Sequence, residues 1–328
     1  MILTAILILG ALGIIFGGFL VIASKKLAVE TDKIILDIYE ILPKANCGSC
    51  GFPGCMGYAE ALGKSGSKVS VALCSPGGSA VADKIASLLG SAAEKTERKT
   101  ARILCRGEKE YIKFKFDYKG PNDCEMAAKL LTGPKLCEFG CLMFGNCFRA
   151  CKFDAISFEK GKIPVILENK CVGCGACVAA CPKNIITLIP EKNHIIVACK
   201  NLDKGKLAKT KCDVACIACG LCAKNCPVSA IEIINNLPVI DYSKCIDCGK
   251  CHTVCPVKPE KSISDSIATR PSLEITGECK GCGLCAKKCP VQAVSGNKKE
   301  KHIIDQSKCV KCQTCYNVCR FNAIKLID

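Results

Sequence analysis

Tryptophan is absent from this 328-residue chain, aromatic residues make up only 5% of it, and it has 3 histidines. These scarcities exclude a large aromatic core and leave few of the residues that most often act as general acids or bases. No G-x-G-x-x-G opens a βαβ unit, so a nicotinamide site in this chain is not expected, and no flavin site is indicated. His194, His252 and His302 lie apart, and no nucleophile–base set stands out. From these absences the chain is not expected to make or break bonds itself.

What it has in excess is cysteine, 32 residues, far above ordinary usage. The formal net charge is +16 with thiols counted as neutral. If 28 of the thiols hold seven [4Fe–4S] cores, the loaded charge falls to about +2. The basic excess then compensates bound anionic clusters, and no nucleic-acid partner is needed.

Charge is also missing locally. Ile2 to Ser24 contains no Asp, Glu, Lys or Arg, and as a helix it would span about 35 Å against a hydrocarbon core of about 30 Å. A cleaved signal peptide would begin with a basic segment, but no Lys or Arg precedes Lys25. Residues 1–26 are therefore expected to be a single transmembrane anchor. Lys25 and Lys26 place the rest on the cytoplasmic side of the cell membrane. Gly13 and Gly17 are spaced to pack against another membrane helix, or are simply part of the anchor. In the cytoplasm disulfides do not persist, so the cysteines imply metal.

Five copies of C-x2-C-x2-C-x3-C follow: Cys171, Cys174, Cys177, Cys181; Cys216, Cys219, Cys222, Cys226; Cys245, Cys248, Cys251, Cys255; Cys279, Cys282, Cys285, Cys289; and Cys309, Cys312, Cys315, Cys319. This is the bacterial-type [4Fe–4S] ferredoxin spacing. Pro182, Pro227, Pro256 and Pro290 follow four of the copies, and Arg320 the fifth. A zinc-structured scaffold would instead show two C-x2-4-C knuckles across a longer loop.

Gaps of 18 or 19 residues within pairs, against 34 and 23 between them, group the motifs into three two-cluster units at roughly 137–190, 212–258 and 279–328. The fourth cysteine of each motif should serve the other cluster of its unit. Cys216, Cys219 and Cys222 should therefore join Cys255, and Cys245, Cys248 and Cys251 should join Cys226. Cys279, Cys282 and Cys285 should join Cys319, and Cys309, Cys312 and Cys315 should join Cys289.

The first unit departs from the pattern. Cys137, Cys141, Cys147 and Cys151 repeat the spacing of Cys212, Cys216, Cys222 and Cys226, but Phe144 stands where the second unit has Cys219. Cys137 is expected to supply the missing ligand, joining Cys141, Cys147 and Cys181, while Cys171, Cys174 and Cys177 take Cys151. An incomplete or three-iron site is the alternative. Nearest the span, Cys47, Cys50, Cys55 and Cys74 fit one more [4Fe–4S] cluster, flanked by helical patterns at Asp32–Leu42 and Ala80–Lys95. Cys105, Cys124, Cys199 and Cys212 remain, either as structural thiols or as an eighth set. The fold class expected is α+β: a transmembrane helix at 1–26, a small helical domain at 32–98, a connecting segment at 99–136, and ferredoxin units at 137–190, 191–258 and 275–328. The Pro- and Ser-containing stretch 259–274 between the last two units is expected to be a linker.

A single span, then ILPKANCGSCGFPGC at 41–55, CSPGG at 74–78 and ferredoxin motifs beyond, resembles the B subunit of the Rnf complexes. These are the ion-translocating ferredoxin:NAD oxidoreductases of bacterial membranes. Three ferredoxin units resemble the long form of that subunit. The resemblance implies membrane, flavin-bearing and NAD-binding partner subunits, with soluble reduced ferredoxin as electron donor. It also implies a chain that only passes electrons within a larger translocase. A membrane-anchored polyferredoxin of a hydrogenase or formate dehydrogenase is the other function compatible with the residues. Only 22 residues separate Ser24 from Cys47, so that cluster is expected near the bilayer as the exit. Lys-rich stretches such as Lys298–Lys301 would steer an acidic donor to the distant units.

Overall fold

A computed structural model describes residues 2–26, 32–65, 69–92, 97–267 and 270–327, without the side chains of 2–9, 24–26 and 65. The chain divides into two compact units, Met1–Glu94 and Lys95–Asp328.

The first unit opens with the helix Ile2–Lys26. Ile14, Ile15, Phe16, Phe19, Leu20, Val21 and Ile22 are all exposed on it. Adjacent positions on a helix face different sides, so apolar residues surround the helix instead of forming a stripe. Among the described residues, however, no helix is long and apolar enough to cross a membrane. The helices Lys33–Ile41, Gly54–Ser65 and Gly78–Leu89 follow. They bury Ile35, Ile38, Leu42, Tyr58, Ala59, Leu62 and Ile85 around one core. The helical pattern read as far as Lys95 stops at Leu89, where Gly90 adopts the left-handed conformation (φ 63°) that caps the helix; Lys95 itself lies outside the described residues.

The second unit contains three repeats, each with two antiparallel strand pairs. An outer pair joins the two ends of a repeat: Lys99–Ile103 with Ile186–Pro190, Ile195–Val197 with Ile263–Asp265, and Ser272–Ile275 with Ile324–Ile327. An inner hairpin connects its two cysteine motifs: Ile156–Ser157 with Val165–Ile166, Ile231–Ile234 with Leu237–Ile240, and Val294–Ser295 with Ile303–Ile304. These short strands are the chain's Ile- and Val-rich stretches, and Ile186 and Ile189, on opposite faces of their strand, are both buried.

The pairing moves two expected boundaries. Residues 99–136 are not only a connection, because Lys99–Ile103 supplies the outer strand of the first repeat. The stretch 259–274 is more than a linker, because it holds the closing strand of the second repeat and the start of the opening strand of the third. Within it, Arg270 is mostly buried and lies 3.3 Å from Asp247 and 3.0 Å from Asp265, while its carbonyl accepts from Lys311 Nζ at 3.3 Å. Composition marked this stretch as loose, but an ion-paired arginine fastens it.

Candidate metal centres

Each regular motif builds its site in the same way. The chain turns through a left-handed residue and enters a helix of four or five residues that carries the third cysteine. The left-handed residue is Gly175, Gly220, Gly249 or Gly283, with φ between 72° and 78°. In the last motif it is Gln313, with φ 58°. Such a turn favours glycine because a Cβ is strained there. The third cysteines Cys177, Cys222, Cys251, Cys285 and Cys315 are all buried. In three of the five motifs the fourth cysteine accepts a backbone N–H from a buried alanine four residues on: Ala230 to Cys226 at 3.2 Å, Ala293 to Cys289 at 3.2 Å and Ala323 to Cys319 at 3.4 Å. Donors aimed at sulfur stabilise thiolate and tune an attached metal group.

Five hollows are each lined by four cysteines. Cys171, Cys174, Cys177 and Cys151 line one. Cys216, Cys219, Cys222 and Cys255 line another. Cys279, Cys282, Cys285 and Cys319 share a third, and Cys309, Cys312, Cys315 and Cys289 a fourth. These groupings cross between the two motifs of a repeat, as expected for two-cluster ferredoxins. Cys226, Cys245, Cys248 and Cys251 also lie together: burial raises the Cys245 and Cys248 thiols, and the charge on Cys226 adds to both. In the small helical domain, burial raises the Cys74 thiol and the charges of Cys55, Cys47 and Cys50 raise it further. There the Cys55 N–H donates to Asn46 Oδ1 at 2.8 Å, holding that loop closed.

The first repeat differs from the expectation. The fifth hollow is lined by Cys141, Cys147, Cys181 and Cys124, not Cys137. Asp123 accepts from the Met126 N–H at 2.9 Å, capping the short helix Cys124–Lys129. The side chain of Asn146, beside Cys147, accepts from the Cys124 N–H at 2.8 Å and donates to Asp123 at 2.9 Å. That clasp brings in a cysteine that no local spacing marks. Phe144, in place of a ligand, packs its ring against Tyr118 at 5.3 Å. Cys137 sits elsewhere, beside Cys105: a Cβ on Gly140 would lie 3.7 Å from the Cys137 Sγ and 3.9 Å from the Cys105 Sγ.

Burial lifts Cys177 and Cys251 to about 12 and Cys147, Cys222 and Cys315 to about 11, with neighbouring thiols adding to the rise. A buried thiol of this kind stays protonated unless a metal replaces the proton. Among the described residues, no three His, Cys, Asp or Glu side chains close on a point that would grip a single bare ion. The thiols instead surround hollows, which suits a multi-atom [4Fe–4S] cluster.

Comparison with known proteins agrees with this chemistry. Models for a 4Fe-4S dicluster domain match residues 215–258, 278–323 and 238–296. A 4Fe-4S binding domain model matches 164–187, and an Fe-S cluster model matches 42–75. The B subunit of the Na(+)-translocating ferredoxin:NAD(+) oxidoreductase complex of Acetobacterium woodii is 42% identical, covering 74% of this chain and 72% of its own. The chain belongs to this family of B subunits. The corresponding proton-translocating protein of Clostridium ljungdahlii is 39% identical over 73% of this chain and 84% of its own. The B subunit of the ion-translocating oxidoreductase complex of Methanosarcina acetivorans is 38% identical over 74% and 91%. Membership in this family and the ferredoxin domains make the chain an iron–sulfur electron-transfer subunit of an ion-translocating ferredoxin:NAD oxidoreductase.

Proposed function

We propose that this chain is anchored in the cell membrane by Ile2–Ser24, with its iron–sulfur part on the cytoplasmic side. It takes electrons from reduced ferredoxin and delivers them to membrane and flavin-bearing partner subunits, which pass them on to NAD. A [4Fe–4S] cluster supplies one-electron transfer with little rearrangement. The chain's own residues hold such clusters in seven thiol sets: the six groupings expected from spacing, supported by four cysteine-lined hollows and two groups of neighbouring thiols, and Cys124, Cys141, Cys147 and Cys181.

The observation that carries the reading is that sets within Lys95–Asp328 are neighbours. The charge on Cys147 acts on Cys177 across the first repeat, and that on Cys222 acts on Cys251 across the second. The charge on Cys312 acts on Cys248 between the second and third repeats. Thiols close enough to perturb one another place their clusters within reach of electron exchange. The apolar side chains all round the N-terminal helix support the anchor.

The assembled complex provides the test. Cys50→Ser should leave reduced ferredoxin able to bleach the visible absorbance of the remaining clusters, while electron delivery to NAD stops. Delivery at the wild-type rate, with that cluster shown to be missing, would place the exit elsewhere.

A further inference from the structure

Four cysteines lie outside the seven sets: Cys105, Cys137, Cys199 and Cys212. They occupy equivalent positions in two repeats. Cys105 follows its outer strand Lys99–Ile103 by two residues, and Cys199 follows Ile195–Val197 by two. Cys137 precedes Cys141 by four residues, and Cys212 precedes Cys216 by four. The bonds repeat as well. The Cys141 N–H donates to Cys105 Sγ at 3.4 Å, and the Cys216 N–H donates to Cys199 Sγ at 3.4 Å. In the third repeat only three residues separate the outer strand, ending at Ile275, from Cys279, and no extra cysteine is present.

The segments between outer strand and first motif in repeats one and two meet. Ile112 bridges to Cys212, the Asp213 N–H donates to the Tyr111 carbonyl at 2.8 Å, and the Leu136 N–H donates to the Lys113 carbonyl at 2.8 Å. One strand-like stretch, 111–113, therefore holds the Cys137 and Cys212 approaches side by side. A Cβ on Gly107 would lie 3.4 Å from the Cys212 Sγ and 3.7 Å from the Cys105 Sγ, so a glycine keeps room at these sulfurs. Asn201, also buried, donates to Cys137 Sγ at 3.7 Å.

An independent feature is Lys135. It is 2% exposed, and its Nζ donates to the Gly107 carbonyl at 3.2 Å. Among the described residues it has no carboxylate partner. A buried ammonium demands an anion nearby. Lys135 stands two residues before Cys137, and the Gly107 that accepts from it has the Cys212 and Cys105 sulfurs beside it, so the group within reach of the ammonium is this cysteine cluster.

We infer that Cys105, Cys137, Cys199 and Cys212 hold an eighth [4Fe–4S] cluster, shared between the first two repeats. Four thiolates on a [4Fe–4S]2+ core carry net negative charge, which Lys135 offsets. The site lies between the set of Cys141 and the set of Cys216, and each of those cysteines touches it through its own backbone N–H. An electron accepted from one neighbour passes to the other, leaving the site unchanged. The inference rests on the proposed reading of the other sets as [4Fe–4S] clusters.

The test is metal and sulfide analysis of the full chain purified without oxygen. Eight sites predict about 32 iron and about 32 sulfide per chain. Cys105→Ser combined with Cys199→Ser should lower both to about 28, with the rest of the spectrum retained. A wild-type value of about 28 would overturn the eighth site alone. So would one zinc per chain that the double variant loses. Little iron anywhere would instead overturn the reading of all the sets. If the double variant loses iron broadly because it misfolds, the wild-type count still decides.

Discussion

The third repeat and the first show how differently two ferredoxin units can be completed. The third is self-contained: its outer strands close on each other, and its two hollows are lined by cysteines from its own two motifs. The first draws on the segment before its motifs for an outer strand and for Cys124, and that segment also carries Cys105. Where a motif lacks one of its cysteines, a distant cysteine delivered by a capped helix can line the same hollow. A group of thiols can therefore form without regular spacing.

Metal removal has the largest expected effect and should act on both repeats. Their strands are two to five residues long, so cluster binding supplies much of their folding free energy. Iron chelation under anaerobic, reducing conditions should abolish cooperative thermal unfolding of Lys95–Asp328, followed by calorimetry. Protons compete with iron for thiols whose pKa burial has raised to about 11 or 12. The thiolate form grows scarcer as pH falls, so chelation should be faster at pH 6 than at pH 8. The reverse order would show that thiol protonation does not govern release.

Separating the repeats sharpens the contrast. A fragment covering 270–328 should fold with two clusters, counted as about 8 iron. A fragment covering 137–190 should not, because it lacks the outer strand and Cys124. Equal iron in both would remove the distinction between borrowed and self-contained repeats.

A point substitution makes the same comparison within the full chain. Cys124→Ser should disturb the set of Cys141, Cys147 and Cys181 and lower the iron count by up to about four. Cys282→Ser should do the same in the third repeat. A Cys124→Ser chain with undiminished iron and unchanged spectra would return the missing ligand to Cys137.

Smaller effects concern the joints. Arg270→Met leaves Asp247 and Asp265 mostly buried without their cation, at a cost of about 3 kcal/mol, read as a lower denaturation midpoint of the loaded chain. Gln313→Gly relieves a left-handed residue at the one regular motif that lacks a glycine there. Its gain should be about 0.5 kcal/mol, because glycine's added freedom in the unfolded chain offsets part of the relief.

Much of the site was legible from spacing. The C-x2-C-x2-C-x3-C runs and ferredoxin logic name cysteines that do line common hollows, including the crossed fourth ones, because they lie close along the chain. Cys124 was not legible, since it lies 17 residues before Cys141 and is placed by the Asp123–Asn146 clasp, which spacing does not encode. The match between Cys137–Cys141 and Cys212–Cys216 is visible in the sequence and does mark an equivalence. Its meaning, a meeting of two repeats, appears only when Ile112 bridges to Cys212. The outer strands were hidden for a similar reason: each pairs with a partner 49 to 91 residues away, and a five-residue strand such as Lys99–Ile103 carries little periodic signal of its own.

Electron entry is the most direct test of the whole account. The full chain, purified and kept without oxygen, is mixed with reduced ferredoxin while the visible absorbance of its clusters is followed. Rapid bleaching that slows as salt screens the basic surface, and reverses on adding an oxidised acceptor, is the predicted result. Clusters that bleach with dithionite but not with reduced ferredoxin would contradict the assignment of this chain as the subunit that receives the electrons.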